Sequence, residues 1–259
     1  MIYLQKLKHF DMRVVAFANR KGGAGKSTSA VNSGACLSLS GKRVLLIDSD
    51  PQGGATVALG LNRWALDKSY YDSIILGKPL KENVYPTGVQ GLDILPANDK
   101  LDAADLELSK VDQPALVLKE LLEKLEGYDF VLVDCPPNLG LLTLNALLAA
   151  EIVIVPLLAE YHSLEGTEDL RRFMENAETY FNHKPIRRFL VTKFTRSDNH
   201  GKQVIEVLKT QFKGEVCNTI IPKSVRVTEA PSFGKPVVTY APNSPASKAY
   251  WSFVEELNG

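Results

Sequence analysis

Short apolar runs alternate along the chain with longer stretches of helical spacing. Residues 14–18, 43–47, 92–95, 130–133, 152–155, 188–192 and 216–221 are rich in Val, Ile, Leu and Phe, several almost without interruption. Such runs read as strands covered on both faces, the usual condition of a parallel sheet. Between them, residues 29–40, 69–76, 114–125, 139–149, 164–181, 202–212 and 243–257 carry helical patterns. Gly41 follows the first of these. The third has Pro114 at its start and Gly127 just past its end, which is ordinary helix punctuation. Strand–helix alternation predicts βαβ units. The expected fold is α/β, a doubly wound, mostly parallel sheet flanked by helices. No internal repeat, low-complexity tract or long linker breaks the alternation, so residues 12–259 read as one domain. Residues 1–11 read as an N-terminal extension, either disordered or the product of an upstream start codon, since Met12 stands directly before the first strand.

Composition narrows this picture. At 259 residues and 45% hydrophobic, the chain has ample material for the core of one α/β domain. Thirty basic and thirty acidic residues balance, so any nucleic-acid surface must be a local patch. Cys36, Cys135 and Cys217 are far apart and lack C-x-x-C spacing, which fits reduced thiols in a cytosolic protein. No apolar run approaches the roughly 20 residues of a membrane span, and residues 1–11 hold no continuous apolar segment of the signal-peptide kind.

The chemistry begins at residues 19–28, N-R-K-G-G-A-G-K-S-T, between the first strand and the first helix. Glycines let backbone N–H groups turn inward around a phosphate, and a helix N-terminus adds partial positive charge. Lys26 can reach the β- and γ-phosphates, and Ser27 offers a hydroxyl to Mg²⁺. The common spacing G-x-x-x-x-G-K-[ST] would need glycine where Arg20 stands, and a second lysine, Lys21, opens the loop instead. Asp48-Ser49-Asp50-Pro51-Gln52-Gly53 follows the second strand. Val131-Leu132-Val133-Asp134 ends in a carboxylate able to hold Mg²⁺ through water. Cys135 reads as a small buried side chain rather than a nucleophile.

K-G-G-A-G-K-S-T, D-S-D-P-Q-G, D-C-P-P, E-Y-H-S-L-E-G at residues 160–166 and the stretch I-P-K-S-V-R-V-T-E-A-P-S-F-G-K-P at 221–236 occur in that order. Together they resemble the ParA/Soj partition ATPases of the deviant Walker A, ParA/MinD class, in the short form without an N-terminal helix-turn-helix. The resemblance covers about residue 12 to the C-terminus. It implies ATP and Mg²⁺ as cofactors, bound by Lys21, Gly22, Gly23, Ala24, Gly25, Lys26, Ser27, Thr28 and Asp134. Lys21, Lys26 and Asp50 would be catalytic, Lys21 by crossing to a partner subunit and Asp50 by orienting the attacking water. Ser27, Asp48 and Asp134 would serve the metal, and Pro222 and Ser224 the adenine. Residues 160–166 would border the dimer-facing side of the pocket. Asn138 stands where serine is common in the family.

The same resemblance implies a homodimer with ATP, non-specific double-stranded DNA as ligand, a ParB-like stimulating partner, and a cytoplasmic, nucleoid-associated protein. Between residues 184 and 235 eleven basic residues face four acidic ones. The DNA contacts implied are Arg226, Lys223, Arg196 and Lys202. A cargo-positioning relative would keep the same ATPase residues, so that reading stays open. A MinD-like membrane ATPase would end in a basic amphipathic helix, whereas this chain ends K-A-Y-W-S-F-V-E-E-L-N-G, with Glu255 and Glu256. An iron–sulfur reductase of the nitrogenase iron-protein type would need a second suitably placed cysteine beside Cys135.

Overall fold

The computed structural model describes residues 12–160, 162–195 and 197–258. The proposed extension, residues 1–11, lies outside them. Eight strands form one sheet: β1 (Arg13–Phe17), β2 (Val44–Asp48), β3 (Tyr85–Pro86), β4 (Leu92–Leu95), β5 (Phe130–Asp134), β6 (Ile152–Leu158), β7 (Ile186–Phe194) and β8 (Val216–Pro222). Their spatial order is β3-β4-β2-β5-β1-β6-β7-β8, and every pairing is parallel except β3 with β4. The first strand is therefore central. From β1 the chain turns to one side, through β2 and β4, and after β5 it crosses to the other. Loops leaving the carboxyl ends of neighbouring β1 and β5 part in opposite directions, which opens the crevice where such folds bind ligands.

The helices are α1 (Lys26–Leu39), α2 (Gly54–Ala58), α3 (Tyr70–Ile74), α4 (Ala104–Leu108), α5 (Val117–Leu122), α6 (Leu141–Ala149), α7 (His162–Phe181), α8 (Asn199–Gln211), α9 (Val225–Glu229), α10 (Val237–Tyr240) and α11 (Pro245–Asn258). One core lies between the sheet and α1, α2, α10 and α11, around Phe17, Leu46, Leu132, Tyr250 and Phe253. The other lies under α3 to α8, around Ile47, Val133, Leu118, Leu170 and Leu208. Alternate residues of β1, β2 and β5 enter opposite cores, which is why those runs are apolar throughout. The edge strand β8 is sealed by Glu256, whose carboxylate accepts the N–H groups of Asn218 at 2.7 Å and Thr219 at 3.0 Å.

Every sequence-predicted strand and helix is present, most with shifted ends and β4 with the expected ones. The first helix starts at Lys26, not at residue 29, because Gly25 at φ 94° turns the chain into it and makes K-S-T its opening turn. Residues 69–76 shorten to α3, where Ser69 and Asp72 form a reciprocal cap and Gly77 at φ 69° follows. Residues 114–125 shorten to α5, whose entry is set from outside. Asn145 of α6 accepts the Leu118 N–H at 3.0 Å and donates to the Pro114 carbonyl at 2.7 Å. Unforeseen were β3, α2, α4, α9 and α10, which are five residues or fewer and too short to show a period.

Candidate active site

The loop between β1 and α1 is held open by its own sequence. Asn19, buried, accepts the Lys21 N–H at 3.0 Å and donates to the Pro156 carbonyl of β6 at 2.6 Å. Gly23 and Gly25 occupy left-handed conformations at φ 72° and 94°, where a side chain would be strained. Lys26, 6% exposed, begins α1, and its charge acts on Asp134 at the end of β5. Two further residues grip this loop, Thr192 and Lys193 at the end of β7. The sequence contains no signal for them beyond their place at a strand's carboxyl end.

Asp48 and Asp134 are register partners at the ends of β2 and β5, and both are fully buried. Asp48 is satisfied within the chain. It accepts the Thr56 N–H at 2.7 Å, the Thr56 hydroxyl at 2.6 Å and the Asp50 N–H at 3.3 Å. Burial pushes its carboxyl up to about 6 despite those bonds. Among the described residues, none makes a hydrogen bond of ordinary geometry to either oxygen of Asp134, although the Ser27 hydroxyl lies beside it. Burial, and Asp48 beside it, raise it well above the usual carboxylate range, while Ser27 and the Lys26 charge oppose that rise. An unpartnered carboxylate beside a serine hydroxyl and a lysine is an uncompensated arrangement that a divalent cation completes. The residues fit Mg²⁺. Gly54 approaches Ser27 so closely that a Cβ there would lie 2.8 Å from the serine hydroxyl, so the loop after β2 closes over the same point. Asp50, half-buried, accepts the Gln52 N–H at 3.0 Å and stands in that closing loop.

A cavity of about 440 Å³ continues from the loop, lined by Gly25, Thr28, Lys193, Pro222, Ser224 and Tyr250. It joins the phosphate loop to both residues expected at the adenine. Lys21 donates to Glu160 at 2.9 Å, and Arg20 pairs with Asp169 of α7. Tyr161 and the side chains of residues 162–166 lie outside the described residues.

The family described as an AAA domain matches residues 12–185. The sporulation initiation inhibitor protein Soj of Bacillus subtilis is 40% identical over 247 residues, covering 95% of this chain and 98% of that protein. The chromosome-partitioning ATPase Soj of Thermus thermophilus is 43% identical over 247 residues, covering 95% of each. The chain belongs to the ParA/Soj family of partition ATPases. Among solved structures, cobyrinic acid a,c-diamide synthase from Mycobacterium smegmatis, with an ATP analog and magnesium bound, superposes with a TM-score of 0.83. It is 32% identical, covering 95% of this chain and 94% of that one.

In this ParA/Soj chain the basic stretch of residues 184–235 divides between the two ends of the sheet. Arg187 and Arg188 start β7, and Lys209 and Lys213 end α8 or follow it, all away from the nucleotide crevice. Lys202 near the start of α8, and Lys223 and Arg226 after β8, follow the carboxyl ends of adjacent strands. Arg226 is exposed and pairs with Glu229 at 2.9 Å, and Lys202 donates to Asn199 at 3.1 Å. Arg196 lies outside the described residues. The three cysteines are buried free thiols, and burial pushes Cys36 and Cys217 up to about 12 and Cys135 higher still, so none is poised as a nucleophile. No helix among the described residues is long and apolar enough to cross a membrane. The apolar face of α11, including Tyr250, Phe253 and Val254, is packed into the core.

Proposed function

We propose that this chain is a cytoplasmic, nucleoid-associated partition ATPase that hydrolyses ATP with Mg²⁺. In this reading ATP closes two copies into a dimer that binds double-stranded DNA without sequence preference. Hydrolysis, slow alone and stimulated by a ParB-like partner, releases it. The observation that carries the reading is Asp134, a buried carboxylate that accepts no well-formed hydrogen bond from the described residues and stands beside Ser27 and Lys26 at the switch point of the sheet. Lys26 and the amides of residues 22–28 hold the phosphates. Ser27 and Asp134 would hold Mg²⁺, while Asp48, also expected to serve the metal, has its oxygens engaged by Thr56 and Asp50 and would act through the loop it supports. When bound, the metal would supply charge neutralisation on the phosphates. Asp50 orients the attacking water, and Lys21 exchanges Glu160 for the phosphates of the partner subunit. Pro222 and Ser224 line the adenine end. Catalysis of this kind is positioning and charge stabilisation.

Lys202, Lys223 and Arg226 would meet DNA phosphates from neighbouring strand ends, together with Arg196. Phosphate contacts are sequence-independent and weaken steeply as salt rises. The test is DNA binding with ATP, with ADP and without nucleotide across a salt series. Binding only with ATP, steeply salt-dependent and lost in Arg226→Ala, is expected. Absence of DNA binding by a confirmed ATP-bound dimer would refute the DNA part of the proposal.

A further inference from the structure

The phosphate loop is gripped from outside by the end of β7. The Thr192 hydroxyl donates to the Ala24 carbonyl at 2.7 Å and lies 3.2 Å from the Leu157 carbonyl of β6. The Lys193 ammonium donates to the Gly23 carbonyl at 2.8 Å. Thr192 is 2% exposed and packs within 3.6 Å of the place a Cβ on Gly25 would take. Lys193 is exposed and sits at φ 53°, a left-handed backbone that a lysine adopts at a cost. Its side chain is directed to the loop by the bond to Gly23.

Peptide geometry gives the two contacts a consequence. In a planar trans peptide the C=O of one residue and the N–H of the next point in opposite directions. Holding the Gly23 carbonyl outward directs the Ala24 N–H the other way, and holding the Ala24 carbonyl outward does the same for the Gly25 N–H. We infer that Thr192 and Lys193 are positioning residues that aim the Ala24 and Gly25 amides into the phosphate cradle before nucleotide arrives. Neither residue need touch the phosphates. Preorganised donors avoid the ordering cost of turning a glycine-rich loop at binding. Lys193 also lines the base cavity, so the same strand end frames both halves of the nucleotide site.

The inference rests on the ATPase reading, and the experiment separates the two. Affinities for ATP, ADP and adenosine are measured by competition against a fluorescent nucleotide. The proteins are wild type, Thr192→Val, Thr192→Ser, Lys193→Met and Lys193→Arg. Thr192→Val keeps the shape and removes the hydroxyl, and Lys193→Met keeps the stem and removes the ammonium at an exposed site. Losing one such bond corresponds to about 3- to 10-fold, so ATP and ADP should weaken by about that factor in the Val and Met variants. Adenosine, which has no phosphate for the amides to hold, should bind Thr192→Val as it binds wild type, and Thr192→Ser should retain wild-type affinity. The Lys193→Met loss should persist at 0.5 M salt, because a bond to a neutral carbonyl is not a screened charge effect on phosphate. Unchanged ATP and ADP affinity, an equal loss for adenosine in Thr192→Val, or a Lys193 effect that vanishes with salt while Thr192→Val has none would overturn the inference. Failure of the wild-type protein to bind ATP at all would instead overturn the ATPase reading.

Discussion

Two loops leave the sheet near each other, one after β2 and one after β5, and each begins with a buried aspartate. The first loop is anchored by its own aspartate: Asp48 holds Thr56 and Asp50, and the Thr56 hydroxyl in turn accepts the Ala97 N–H at 3.0 Å. The second is anchored by a borrowed acid. Asp105 of α4 accepts the Leu142 N–H at 2.8 Å and the Asn138 side-chain amide at 2.9 Å. A Cβ on Gly140 would collide with that carboxylate, so the residue there must be glycine for the grip to form. With its loop held elsewhere, Asp134 is left with both oxygens unspent. Equal burial and equal strand position thus leave one carboxylate engaged by its own loop and one that is not.

Alanine at the two positions should separate these roles most sharply. Asp134→Ala should lower ATP hydrolysis by about 10²- to 10³-fold, the scale seen when a main electrostatic contributor is removed. It should also abolish Mg²⁺-dependent tightening of nucleotide binding. Its melting temperature without nucleotide should hold or rise, because the change deletes a buried carboxyl that anchors no loop and whose ionised form burial disfavours. A clear fall in melting temperature would show that Asp134 is structural and break the comparison.

Asp48→Ala should do the reverse. It strips partners from the Thr56 N–H and hydroxyl, at a cost of about 3 kcal/mol at pH 5. For a chain of this size that is a fall of about 6–12 °C in melting temperature. The cost should narrow as pH rises through about 6. Asp48 in the folded chain titrates near 6, above its unfolded value, so its contribution is complete at low pH. It is lost as pH rises, because the unfolded chain releases its proton first. Chemical denaturation of wild type and Asp48→Ala from pH 4 to 8 reads this directly, and a gap that widens with pH would contradict it.

The smallest effect belongs to the borrowed anchor. Asp105→Ala should cost about 1 kcal/mol and lower hydrolysis only modestly, with nucleotide affinity little changed. Loss of hydrolysis as complete as in Asp134→Ala would mean that the loop's position, rather than the free carboxylate, governs the reaction.

Much of the site was legible in the sequence because its parts are short and local. K-G-G-A-G-K-S-T carries its own turn chemistry, and its place between an apolar run and a helix follows from periodicity. The aspartates at 48 and 134 were legible as carboxylates at strand ends. Pro222 and Ser224 came from resemblance, and the structure brings both to the cavity beside Gly25 and Thr28. Thr192, Lys193 and Asp105 were not legible as site residues. Their contacts join residues 168, 170 and 37 positions apart, and nothing in the flanking sequence marks them. The basic stretch of residues 184–235 was legible as charge but not as a surface, since β7 and α8 carry its members to opposite ends of the sheet.

The sequence by itself determined the alternation of strands and helices, the phosphate loop and the two acids that face it. These depend on local backbone preferences and on hydrophobic periodicity, which neighbouring residues set. Only the tertiary structure decided which acid is free, which residues hold the loop's carbonyls and which lysines share an end of the sheet. Each of those is a matter of whether a buried polar group finds a partner, and the partner is supplied by a distant part of the chain.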